Sequence, residues 1–122
     1  MDKFYSVYGT LRHGERANYM MSECEFVSTT TEKLNFKMVD LGSFPALIES
    51  KDKNDIVIET YKLPADGEHI ENRLDLYEGY CESGTGLYDK KLIKLDSGIE
   101  SFVYFMKNER GKIIKSGDWK NK

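Results

Sequence analysis

The order of elements along the chain predicts an α+β fold with a mostly antiparallel or mixed sheet. Three observations lead there. Short stretches rich in aromatic and β-branched residues recur from Phe4 to Met106; one segment, about Glu68 to Tyr77, has convincing helical spacing; and the regular strand–helix–strand alternation of a parallel α/β sheet is missing. With 122 residues, one domain over 1–122 can bury a single core without disulfides.

The first strand is Phe4-Tyr5-Ser6-Val7-Tyr8, which runs into the glycine-bounded loop Gly9-Thr10-Leu11-Arg12-His13-Gly14. A glycine at a strand end lets backbone N–H groups point into a cavity with no side chain in the way. Asn18 to Cys24 suits a short helix carrying Tyr19, Met20 and Met21. Glu25 to Leu34, with its threonine run, suits a strand with one wet face. Asn35 marks a turn before the strand residues Phe36, Met38 and Leu41, and Gly42-Ser43 breaks the chain ahead of Phe44-Pro45-Ala46-Leu47-Ile48. Pro45 cannot donate to a ladder, which places that piece at a sheet edge or on a pocket wall. Lys51 to Asp55 reads as a surface turn, followed by the strand Ile56 to Leu63 and the stop Pro64-Ala65-Asp66-Gly67.

In the helix, Ile70, Arg73, Leu74 and Tyr77 fall at the spacing of one face, with Asp66 as N-cap and Gly79 as stop. Tyr88 to Leu95 and Ile99 to Met106 form a hairpin across Asp96-Ser97-Gly98. The tail from Lys107 is polar except for Ile113-Ile114 and Trp119, which are expected to dock it back.

The charge balance excludes some function classes. Eighteen basic and 21 acidic residues, net −3, give no long-range attraction for nucleic acid or an anionic membrane. The basic residues near the end, Lys107, Arg110, Lys112, Lys115, Lys120 and Lys122, have only Trp119 among them rather than a series of interleaved aromatics, and read as a solvated tail. No signal peptide is expected ahead of the first strand, and no apolar run reaches the ~20 residues of a membrane span. Cys24 and Cys81 are then expected as free thiols in a reducing cytoplasm, and a monomer is the default.

Several chemistries compete for the remaining residues. The stretch Tyr8 to Gly14 lacks the glycines of a dinucleotide fingerprint and the ending of a P-loop, so by spacing alone it is equally a structural turn or an anion-holding loop. His13 and His69 are isolated, so no metal site assembles from local pairs. Cys81 reads as a small buried residue rather than a nucleophile. Glu78 differs from these. It ends the helix between Tyr77 and Gly79-Tyr80, where partial burial and the negative end of the helix dipole would both raise its pKa. The plain alternative is an exposed carboxylate at a helix end.

Val7-Tyr8-Gly9-Thr10-Leu11-Arg12, Phe44-Pro45-Ala46-Leu47, Leu74-Asp75-Leu76-Tyr77-Glu78-Gly79-Tyr80, Leu87-Tyr88-Asp89-Lys90 and Ser116-Gly117-Asp118-Trp119 together resemble, in order and over nearly the whole chain, the gamma-glutamylcyclotransferase-like family. The resemblance implies a small mixed β-barrel with flanking helices and a cavity between the loop and the glutamate. It implies that Tyr8, Gly9, Thr10 and Leu11 hold a γ-glutamyl group, that Glu78 is the general acid/base, and that Tyr88 lines the pocket. Two departures stand out: Lys90 replaces an arginine that members often carry, and residues 81–86 lengthen the gap between Glu78 and Tyr88. The implied reaction is cyclisation of a small-molecule γ-glutamyl substrate, a γ-glutamyl amine or peptide, to 5-oxoproline with loss of an amine, without metal or organic cofactor. The second expectation is a non-catalytic module that keeps the pocket for a small anionic metabolite, or the surface for a protein partner.

Overall fold

The fold is taken from a computed structural model, which describes residues 2–80, 88–107 and 111–122. Six strands form one mixed sheet in the order β4-β5-β1-β3-β2-β6, where β1 is Phe4–Val7, β2 Glu25–Asp40, β3 Pro45–Lys62, β4 Tyr88–Lys94, β5 Glu100–Met106 and β6 Lys112–Ile113. The sheet curls into a half-barrel, with one helix, α1 (Glu68–Glu78), packed on it. The mixed barrel-like architecture is therefore as expected. Central β1 pairs antiparallel with β3 and parallel with β5, so the chain leaves β1 between two neighbours that wall its exit.

Alternation along the strands supplies two apolar clusters. Tyr5, Val7, Ala46, Ile48, Tyr104 and Met106 pack with Ile70 and Leu74 of α1 and with Met20 and Met21. Phe36, Met38, Leu47, Ile56, Ile58, Val103 and Phe105 form the other, closed by Ile114 and Trp119 of the tail. The tail therefore docks as expected, through Ile114 and Trp119, while Ile113 stays exposed in β6 beside β2.

The largest departure from the sequence reading lies in β2 and β3, which form one long hairpin with no turn at Asn35 or at 51–55. Both positions belong to a single irregularity in the ladder. From Leu34 to Phe36, β2 advances two residues while β3, from Asn54 to Glu49, advances five. The odd excess reverses which residues of β3 face which cluster: Leu47 and Ile56 share a side although their numbers differ in parity. Side-chain amides satisfy the disrupted backbone, Asn35 Nδ2 donating to Lys51 O at 3.2 Å and Asn54 Nδ2 to Phe36 O at 3.0 Å. Polar residues chosen for solvent exposure thus imitate a turn in sequence.

Smaller corrections have local causes. The predicted helix after the loop is a single 3-10 turn, Asn18–Met21, burying Met20 and Met21 but leaving Tyr19 exposed. Gly67, not Asp66, caps α1, and no side chain helps it. A Cβ at Gly67 would stand 2.9 Å from Pro64 O, so the tight approach of the chain sets the residue type there. Only Ile70 and Leu74 of the predicted face are buried; Arg73 instead donates to Met20 O at 3.1 Å. Pro45 is the first residue of an inner strand, not an edge one, so the pocket-wall alternative is the one realised. Cys81 and the segment 81–87 lie outside the described residues, as does Arg110.

Candidate active site

Beyond Val7 the chain turns through Gly9 and is clamped on both sides. The Tyr8 hydroxyl donates to Tyr104 O at 2.8 Å and accepts from Leu47 N at 3.3 Å, locking the ring between β5 and β3. Gly9 sits against Pro45: a Cβ there would lie 2.6 and 2.7 Å from the ring's Cγ and Cδ. Arg12 N donates to Gly9 O at 3.0 Å and Ala17 N to Thr10 O at 2.9 Å, which folds the loop back on itself. The carbonyls are thereby occupied. The amides of Gly9, Thr10 and Leu11 have no acceptor among the described residues.

A buried ion pair holds the far end of the loop. Arg12 Nε donates to Glu59 Oε2 at 2.8 Å and Arg12 Nη1 to Asp118 Oδ1 at 2.6 Å, while Glu59 Oε1 accepts from His13 N at 2.7 Å. Strand β3 and the tail therefore grip the same arginine, and the loop geometry depends on both. Arg12 and Glu59 keep only 5% and 4% of their surface, so neither is free to meet a ligand.

Helix α1 brings the carboxylate. Glu78 is its last residue, and Gly79 reverses the chain at φ +73°, a left-handed conformation that favours glycine, with Tyr80 N donating to Asp75 O at 2.8 Å. One turn back, Asp75 accepts from Tyr104 Oη at 2.6 Å and from Lys90 Nζ at 3.0 Å, and Lys90 also reaches Tyr5 Oη at 2.9 Å. Lys90 stands over the face of the Tyr80 ring, 4.8 Å from its centroid. This network fastens the C-terminal turn of α1 to β5 and β1, and with it the position of Glu78.

Glu78, Tyr8, Gly9, Thr10, Leu11 and Tyr88 all line one cavity of about 390 Å³, in the range of small-molecule sites. Phe44, Pro45, Leu76, Tyr77 and Tyr104 complete its apolar walls, and Thr10 Oγ1 hydrogen-bonds Tyr77 Oη at 2.8 Å across one side. Burial pushes the Glu78 pKa up to about 7. The residue as a whole retains intermediate exposure, so its carboxyl is desolvated yet remains on the cavity wall. No hydrogen bond or ion pair from another described residue offsets that desolvation. Burial above all, helped by the Glu78 charge for Tyr8 and by the hydrogen bond to Asp75 for Tyr104, also holds both phenols far above their ordinary range, so both stay neutral. Among the described residues no group of three His, Cys, Asp or Glu is placed to hold a metal ion. No helix among them is long and apolar enough to cross a membrane.

A carboxylate that exchanges protons near neutrality beside unpaired amides is an arrangement suited to acyl chemistry. The family model described as gamma-glutamyl cyclotransferase, AIG2-like, matches residues 5–121. The chain belongs to this family. A Vibrio cholerae relative named "Putative gamma-glutamylcyclotransferase" is 28% identical over 120 residues, covering 98% of this chain and 96% of its own. Among solved structures, an uncharacterized protein from Pyrococcus horikoshii superposes with a TM-score of 0.75 at 23% identity, over 96% of this chain and 89% of its own. An AIG2-like protein from Mus musculus gives 0.67 at 20% identity, over 89% and 80%. At those identities the structures establish a shared fold.

Within this cyclotransferase-like fold, all six residues singled out from the sequence line the same cavity. Sequence reasoning missed Tyr104 and Arg16 of the lining, and the Glu59, Asp75 and Lys90 contacts behind it. Tyr104 sits in an alternating strand and reads as core. Glu59 did carry a signal, being a lone charge inside Ile56-Val57-Ile58-Glu59-Thr60-Tyr61. His13 is exposed, and His69 is occupied by Glu23 Oε2 at 3.1 Å, both away from the cavity.

Proposed function

We propose that the chain is a γ-glutamyl cyclotransferase that converts a γ-glutamyl amine or peptide into 5-oxoproline and a free amine. The observation that carries this reading is the shared cavity of a carboxyl with its pKa near 7 and three loop amides without acceptors among the described residues. In the proposed reaction, Glu78 takes a proton from the substrate's α-ammonium. The freed α-nitrogen attacks the γ-carbonyl carbon and closes a five-membered ring. The amide C–N bond then breaks as Glu78 returns its proton to the departing nitrogen, and the ring nitrogen gives up its remaining extra proton, which the released amine takes up as an ammonium.

Each group has a physical reason for its part. General acid–base transfer typically contributes ~10²–10⁴-fold, most effectively when the pKa lies near the working pH. The amides of Gly9, Thr10 and Leu11 would stabilise the oxygen charge that develops on the γ-carbonyl, each such donor being worth on the order of 10²–10³ in rate. Curling the substrate between Tyr8, Tyr88 and Tyr104 exploits intramolecular proximity, so no protein nucleophile is required.

Incubation of the purified protein with a panel of γ-glutamyl amines and dipeptides, with detection of 5-oxoproline, tests the reading. Turnover of at least one member is expected, as is its loss in Glu78→Gln. Ligand-induced thermal stabilisation without any product would instead favour a non-catalytic binding module.

A further inference from the structure

One cavity side chain has no part in that reaction. Arg16 lines the cavity and is solvent-exposed, in contrast to Arg12, which is consumed by Glu59 and Asp118. Among the described lining residues Arg16 carries the only cation and Glu78 the only carboxylate. Arg16 has no hydrogen-bond or ion-pair partner among the described residues. Its backbone is nevertheless fixed from both sides, by Glu15 N to Arg12 O and Ala17 N to Thr10 O, each 2.9 Å, and by the burial of Ala17. Arg16 is thus anchored through its backbone on the cavity lining, with an exposed side chain that no described residue pairs.

Resting on the cyclotransferase reading, we propose that Arg16 receives a carboxylate on the amine half of the substrate, so that the site selects γ-glutamyl amino acids and peptides over uncharged γ-glutamyl alkylamines. The chemistry places the two ends. Proton transfer puts the α-amino group at Glu78, and the α-carboxylate, attached to the same carbon, stays with it at the desolvated end. The attacked carbonyl lies at the loop amides. What remains to extend toward the exposed rim is the departing amine, and a free carboxylate on it would meet the guanidinium there. Arginine's planar fork suits that partner, since it can hold both carboxylate oxygens at once.

The test compares γ-glutamyl-alanine with γ-glutamyl-ethylamide, which differ by that carboxylate. Affinities are measured by calorimetry in the Glu78→Gln background, and 5-oxoproline release in the wild type. The expected preference for γ-glutamyl-alanine is about tenfold, the scale of one partly solvated charge-assisted hydrogen bond. It should collapse toward unity in Arg16→Gln and partly survive in Arg16→Lys. Equal affinities before Arg16 is changed, or a preference that survives Arg16→Gln, overturns the assignment even if both compounds are turned over. A preference that depends on Arg16 without 5-oxoproline from either compound upholds the carboxylate site and overturns the catalytic reading. Failure to bind either compound overturns both.

Discussion

Replacing Gly9 by alanine isolates the contact on which the loop depends. The added Cβ would lie 2.6 and 2.7 Å from Cγ and Cδ of Pro45, about an ångström inside ordinary contact. The proline cannot swing aside as a flexible side-chain end would, because its ring is closed onto the backbone at the start of β3, opposite Asp40. The loop is held from its other end by Arg12 and cannot yield freely either. Overpacking of this kind costs roughly 1–3 kcal/mol. For a domain of this size each kcal/mol lowers Tm by about 3–6 °C, so Gly9→Ala should melt roughly 3–18 °C below the wild type. A thermal double-mutant cycle with Pro45→Ala identifies the cause, since that change removes Cγ and Cδ. Most of the cost of Gly9→Ala should vanish in the Pro45→Ala background. An equal cost in both backgrounds, within the ~0.5 kcal/mol expected of independent sites, would refute the steric argument.

Arg12→Met strands the Glu59 carboxylate in a buried site and should destabilise the protein by about 3–5 kcal/mol in urea titrations at pH 7, with partial recovery in Arg12→Met/Glu59→Gln. Glu78 carries the opposite expectation. Its folded pKa of about 7 lies above the unfolded value of 4.5, so between these pH values the folded state holds a proton that the unfolded state has lost, and stability falls as pH rises through that window. At about 1.4 kcal/mol per pH unit the full loss is about 3.5 kcal/mol by pH 8, reduced to about 2 where the carboxyl keeps access to water. Glu78→Gln should remove that loss and be more stable than the wild type at pH 8, but not at pH 4. Denaturant unfolding at the two pH values reads this directly.

The parts of the fold legible in the sequence are those set by local rules. The hairpin across Asp96-Ser97-Gly98 and the stop at Gly79 follow from positive φ, +96° at Gly98 and +73° at Gly79, which glycine supplies without strain. The site was legible where chemistry and position coincided, as with Glu78 at a helix end and Gly9 at a strand end. What escaped was set by partners distant in sequence. Asn35 and Lys51 to Asp55 have turn-like composition, yet cross-strand pairing and two side-chain amides hold them as a bulge within one ladder. Asp66 is a better capping residue than Gly67, but close contact with Pro64 and Leu63 decided the cap. Asp75 and Lys90 stood out only through the family resemblance, and it is the tertiary fold that brings them to Tyr104 and Tyr5.

The pH dependence of 5-oxoproline release tests the central claim most directly. If Glu78 accepts the proton from the substrate's α-ammonium, kcat/KM rises with pH through an apparent pKa of about 7, and Glu78→Gln loses activity together with that rising limb. A variant that keeps wild-type turnover with the same profile would contradict the account.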